Sequence, residues 1–190
     1  MANIVWFALS VPIVTWPAAT AGLFGLVRLV VQEELDGAPR ETRLGDFWIG
    51  FREHGIRSTI LTAIDAAAVI AIAVAILFYS QSPAEPLRWL LGPFALIGVV
   101  WAGAQIYLYP LLLERTEQSP LQVLREALLT AIAFPPFTLA LLVTSLILAI
   151  AAGALLGPIL FVFFSAMATL QTVALRQLIL SRRMSQEESA

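Results

Sequence analysis

Residues Ala127 to Leu175 read ALLTAIAFPPFTLALLVTSLILAIAAGALLGPILFVFFSAMATLQTVAL, a run of 49 residues without one charge. As a single helix this stretch would be about 73 Å long, against a hydrocarbon core of ~30 Å. It must therefore fold back. Gly153 and Gly157-Pro158 supply the turn, because Gly frees the backbone and Pro suits the first turn of the next helix. Two antiparallel spans are predicted, 127–151 and 158–178, followed by a polar tail over 182–190. The rest of the chain agrees: it is 59% hydrophobic and 13% charged, with mean hydropathy +0.87, whereas soluble domains hold about 25% charged residues. A chain of 190 residues cannot hide that much apolar surface in one small core, so lipid is its expected solvent.

A second hairpin lies upstream. Thr59 to Tyr79 is apolar apart from Asp65, Trp89 to Leu113 is uncharged, and Ser80-Gln81-Ser82-Pro83-Ala84-Glu85-Pro86 separates them with turn residues. Spans are predicted over 59–79 and 89–113. Near the N-terminus, Pro12 and Pro17 make a straight helix from Asn3 to Val27 improbable. A short helix over 3–15 and a second over 17–34 are expected, with Thr15 or Trp16 as cap and Pro17 in the first turn. The 3–15 stretch has the apolar character of a signal-peptide core, but no basic residue precedes it and Pro12 and Pro17 interrupt the apolar run, so retention is expected. Leu44 to Arg57 reads as an amphipathic helix lying flat on the inner membrane face, with Leu44, Phe47, Trp48, Phe51 and Gly55 at helical spacing. The expected fold class is thus all-α: a single polytopic membrane domain with four clear spans in two hairpins, a Pro-broken N-terminal segment giving five to six helices in the membrane, and an interfacial helix.

All eleven basic residues are Arg, and net charge is −2, which gives no nucleic-acid footprint. Arg40, Arg43, Arg52 and Arg57 fall in one loop, Arg115 and Arg125 in another, and Arg176, Arg182 and Arg183 at the C-terminus. With two hairpins these segments share one side, predicted to be cytoplasmic, and only Arg88 falls opposite. The hairpins also resemble each other. Ile56-Arg57-Ser58-Thr59-Ile60-Leu61-Thr62-Ala63-Ile64 parallels Leu124-Arg125-Glu126-Ala127-Leu128-Leu129-Thr130-Ala131-Ile132, and Leu90-Leu91-Gly92-Pro93 recurs as Leu155-Leu156-Gly157-Pro158. A duplication would relate the two by an axis along the membrane normal.

Further residues resemble a known family. Asn3 with Trp6, then Pro12-Ile13-Val14-Thr15 and Pro17-Ala18-Ala19-Thr20-Ala21 leading to Val27-Arg28, resemble the YesL-like bacterial membrane proteins. Asp46-Phe47-Trp48 with Phe51-Arg52, and Tyr109-Pro110-Leu111-Leu112 followed by Leu124-Arg125 and Pro136, are similar to that family's later segments. Members usually carry a further stretch before the Asn, which here would imply an upstream start or a half-length first helix. The family's biochemical role is not established. The resemblance implies a bacterial cytoplasmic membrane protein that accompanies carbohydrate uptake systems, with a sugar-uptake permease or its ATPase as partner.

Several residues stand out chemically. Asp65 is the one acid well inside a predicted span, where an ionised side chain needs a partner; Arg28, Arg176, Gln105 and Gln171 are the candidates. An interhelical clamp is the favoured reading, an ion, proton or polar-substrate site the alternative. Gln105 and Gln171 are expected to hydrogen-bond between helices. Phe47, Trp48, Phe51 and Arg52 form an interfacial anchor or a docking surface. Pro12, Pro17, Pro110, Pro135 and Pro136 break or bend helices, freeing carbonyls that can line a cavity. With no Cys and a single His54, thiol and zinc chemistry drop out and no cofactor is expected. Glu33 to Arg40 resembles the Asp-Gly-x-x-Ala-Arg core of lipid phosphotransferases only superficially, since the downstream Asp pair is missing. The sequence therefore points to a non-enzymatic accessory or regulatory membrane subunit; the alternative is a small oligomeric transporter or channel using Asp65 and the Pro-broken helices.

Overall fold

The computed structural model describes residues 2–12, 15–36, 44–154 and 158–187. Among these the regular structure is entirely helical: α1 (Ala2–Ser10), α2 (Trp16–Asp36), α3 (Leu44–Ser80), the single turn α4 (Glu85–Arg88), α5 (Leu91–Glu114), α6 (Pro120–Ala133), α7 (Pro135–Ala154) and α8 (Pro158–Glu187). Three helical stretches are long and apolar enough to cross a membrane, Gly45–Ser80, Glu85–Glu114 and Phe163–Ser181, and a bent pair, Pro120–Ala133 with Pro135–Ala151, makes a fourth if counted as one span. Large apolar side chains face outward along them, among them Val74 and Phe78 on α3, Leu96 on α5 and Leu146 and Ile150 on α7. Such outward apolar faces are compatible with contact to lipid chains.

The predicted boundary between an interfacial helix at 44–57 and a span at 59–79 does not exist. A single α3 of 37 residues runs through both, about 55 Å long. No helix breaker stands between Arg57 and Thr59, so hydrogen bonding propagates at no nucleation cost. The N-terminal half of α3 packs against α2, which runs antiparallel to it. The two backbones meet at Gly22, Gly25 and Gly50: a Cβ on Gly50 would lie 3.3 Å from the Gly22 Cα, and one on Gly25 would lie 3.5 Å from the Gly50 Cα. Ala18 continues the contact with Gly55. Small residues thus let main chains touch.

The N-terminal break forms as expected between Ser10 and Trp16, though α1 ends at Ser10 rather than reaching residue 15. Thr15 takes the N-cap position of α2, its carbonyl accepting from Ala19 N (2.9 Å), but its side chain turns back to α1. Its hydroxyl is shared between the carbonyls of Leu9 and Pro12, so it closes the end of α1. Pro17 enters the first turn of α2, as predicted, and is buried. α1 is then fastened by two of its side chains: the Trp6 indole donates to Thr20 Oγ1 (3.3 Å) and its ring meets Phe164 with centroids 4.0 Å apart, while Asn3 Nδ2 donates to Ser165 Oγ (3.0 Å).

α5 and α6 form the core of the bundle. α6 starts at Pro120, seven residues before the predicted span, because Ser119 and Gln122 make a reciprocal capping box: Gln122 N donates to Ser119 Oγ (3.4 Å) and Ser119 N to Gln122 Oε1 (2.9 Å). Ser119→Ala is expected to cost about 1 kcal/mol, read as a lower thermal midpoint in detergent. From this cap Val123, Ala127 and Ala131 line one face against Tyr107, Leu108, Leu111 and Leu112, all buried. Pro110 lies inside α5, removing the helical bond to the Ile106 carbonyl, yet the helix continues to Glu114.

The span predicted over 127–151 is not one continuous helix, although the bent pair still passes as a single span. The chain breaks at Phe134 (φ −127°, ψ 61°) and α7 leaves α6 at 102°. Pro135 bars its predecessor from helical geometry, and two adjacent prolines withhold the N–H groups that the Ala131 and Ile132 carbonyls require. At the aligned positions the first hairpin carries Ala67 and Ala68, so α3 stays continuous. The two sequence-similar hairpins therefore differ in shape. At the other end, the predicted polar tail is helical as far as Glu187, continuing α8. The turn at 155–157 and the loop 37–43, with Arg40 and Arg43, lie outside the described residues.

Candidate functional site

Asp65 lies on α3 about 12 Å past Arg57, facing α5. Its Oδ1 accepts from Trp101 Nε1 (2.9 Å) and from Gln105 Nε2. Trp101 and Gln105 are four residues apart, one helical turn, so their donors converge on one point. One turn nearer the N-terminus of α3, Thr62 Oγ1 and Tyr109 OH are 3.1 Å apart, and the Thr20 hydroxyl lies beside the same phenol. The ring of Phe24 stacks on Tyr109 at 5.2 Å. A polar seam thus runs along the α3–α5 contact and is closed from one side by α2.

Of the four partners considered for Asp65, only Gln105 meets it. Arg28 instead pairs with Glu114, its Nε 3.1 Å from Oε1 though poorly aligned for a hydrogen bond, and donates Nη1 to the Leu113 carbonyl (2.6 Å). Neither Gln171 nor Arg176, both half-buried on α8, hydrogen-bonds Asp65. Trp101 was not foreseen. Its four-residue spacing from Gln105 was the available signal, since an indole N–H in lipid seeks an acceptor.

A second polar seam crosses the break. Thr138 Oγ1 lies 2.9 Å from Tyr107 OH and 3.3 Å from the Ala131 carbonyl, one of the two that the prolines deprive. Gly103 makes the seat, since a Cβ there would come within 2.7 Å of Thr138 Cγ2. Pro135 and Pro136 thus create an acceptor that the protein satisfies internally.

The third cluster sits where α2, α3 and the α5–α6 turn converge, beside the apolar part of α3. Arg57 Nη2 donates to the carbonyls of Arg115 (2.8 Å) and Gln118 (2.6 Å), a cation serving as the cap of α5, and Arg115 pairs with Glu126 at 3.1 Å. His54 Nδ1 is buried here without a hydrogen-bond partner.

Phe47, Trp48, Phe51 and Arg52 do not act as one surface. Phe47 is fully buried against Gly22, Leu23 and Trp6, because α2 covers that face of α3. Trp48 is 45% exposed, and its ring meets Phe51 edge-on at 5.5 Å. Arg52 is exposed and borders an open groove of about 380 Å³ with Thr15, Phe51, Ile56 and Thr59. Among the described residues no cluster of three or more His, Cys, Asp or Glu could hold a metal ion.

Residues 1–76 match the family described as "Protein of unknown function, DUF624". The matched segment contains α1, α2 and most of α3, and so includes the N-terminal break, the glycine contact and Asp65. The YesL-like resemblance is consistent with the DUF624 match. Trp101, Gln105, Tyr107 and Thr138, which complete both intramembrane seams, lie beyond it. No curated protein and no solved structure matches the chain.

Proposed function

We propose that the protein is a non-enzymatic accessory or regulatory subunit of the bacterial cytoplasmic membrane, with its C-terminus cytoplasmic, that serves a carbohydrate uptake system. The observation that carries this reading is the inner half of α3. It extends about 20 Å beyond the apolar stretch that starts at Thr59, is braced on α2, and presents an exposed Trp48 together with Arg52, which borders an open groove. Aromatic and Arg side chains on a rigid support are the usual anchors of protein interfaces. The polar groups at membrane depth, by contrast, are spent largely on joining helices to each other. The association with carbohydrate uptake rests on the YesL-like resemblance.

The test is a photo-crosslinking residue at Trp48 in cells that co-express the permease and ATPase of a sugar uptake system. A specific adduct with either, reduced by Arg52→Glu, is the expected result. Adducts with lipid alone would overturn the docking role. Substrate-dependent flux in liposomes containing only this protein would instead establish the small-transporter alternative, working as a homo-oligomer.

A further inference from the structure

The geometry points to a binding site for a monovalent metal cation at Asp65, made of the Asp65 carboxylate, the Gln105 amide oxygen and the hydroxyls of Thr62 and Tyr109. This goes beyond the docking role and does not depend on it. The two hydrogen bonds that Asp65 receives come from neutral groups, an indole and an amide, and both fall on Oδ1. Neither neutralises the charge, and Oδ2 is left over. Arg28 is committed to Glu114 and Leu113 and Arg57 to two carbonyls, and among the described residues no arginine hydrogen-bonds Asp65. A carboxylate in apolar surroundings without a counter-charge is costly.

The neighbouring oxygens supply what a hard cation takes. Gln105 donates to Asp65 through Nε2, so that bond leaves the acceptor capacity of its Oε1 unused. Thr62 lies three residues before Asp65 on α3, and Tyr109 four residues after Gln105 on α5, so each is one turn away on the same contact face. Thr62 and Tyr109 are already within 3.1 Å of each other, and one hydroxyl proton between two oxygens leaves acceptor capacity on both. Charge selects the ion. One carboxylate with neutral oxygens is balanced by one positive charge, while a divalent ion would leave a net charge in lipid.

The experiment uses the full chain in detergent micelles, with thermal unfolding followed in sodium, potassium or choline chloride at fixed ionic strength. Choline is too bulky for a site between two packed helices. The midpoint should rise by several degrees with sodium or potassium and not with choline, saturating as a single site does. Asp65→Asn should abolish the cation-specific rise. Thr62→Val keeps the shape of the side chain and should weaken the apparent affinity roughly tenfold by removing one oxygen ligand. Equal midpoints in all three salts overturn the site, as does a cation-specific rise retained by Asp65→Asn. If Asp65→Asn does not fold, Thr62→Val decides: unchanged affinity in it overturns the assignment.

Discussion

Replacing Gly22 by Leu should cost about 3 kcal/mol or more and leave little monodisperse protein after detergent extraction. Even a Cβ at this position would lie 2.9 Å from the Phe47 carbonyl oxygen and 3.2 Å from the Phe47 ring. The obstacle is backbone, which cannot rotate aside as a side chain could, so α2 and α3 would have to separate. Separation withdraws Phe47 from the cluster with Trp6, Ala19 and Leu23. Overpacking of a tight interior typically costs 1–3 kcal/mol, and a backbone clash lies at the upper end of that range. Gly22→Ala should show a smaller loss of the same kind. Gly45 is the control, for a Cβ there meets nothing within 4 Å, and Gly45→Ala should be neutral or stabilise by up to about 1 kcal/mol. A Gly22→Leu variant with the parent's thermal midpoint would show that the two helices do not touch as described.

Thr138→Val should cost about 2 kcal/mol although it changes almost no volume. The valine methyl still fits the seat at Gly103, but two buried groups lose their partner: Tyr107 OH, on a residue with no exposed surface, and the Ala131 carbonyl. An unsatisfied buried group costs more than the bond it replaces had contributed. The coupling is open to a double-mutant cycle. Tyr107→Phe removes the stranded hydroxyl, so the double variant should be more stable than the sum of the single losses predicts. Strict additivity of the two losses would show that the hydrogen bond does not hold the break.

What the residues made legible was hydrophobic length. The apolar runs, the turn at Ser80 to Pro86, the N-terminal break and the position of Asp65 within a span were all readable, because each depends on local composition or on proline. Two features were not. The continuity of α3 escaped because the change from amphipathic to apolar pattern at Arg57 looks like a boundary, whereas a helix needs only the absence of a breaker to continue. The bend at Phe134 escaped for the opposite reason, since uniform hydrophobicity concealed the weight of Pro135-Pro136. The partner of Asp65 was legible only in part. Gln105 could be paired by depth, but Trp101 required knowing which face of α5 turns toward α3.

The glycine contact between α2 and α3 has a mechanical consequence. At Gly22, Gly25 and Gly50 the two main chains approach with no side chain between them, so Gly50 is the point about which any tilt of α3 would turn. From there to Asp65 is about 22 Å along an unbroken helix, so a tilt of about 10° carries the carboxylate roughly 4 Å. A load on the Trp48 arm would therefore move the far arm as well, and with it the Asp65 carboxylate.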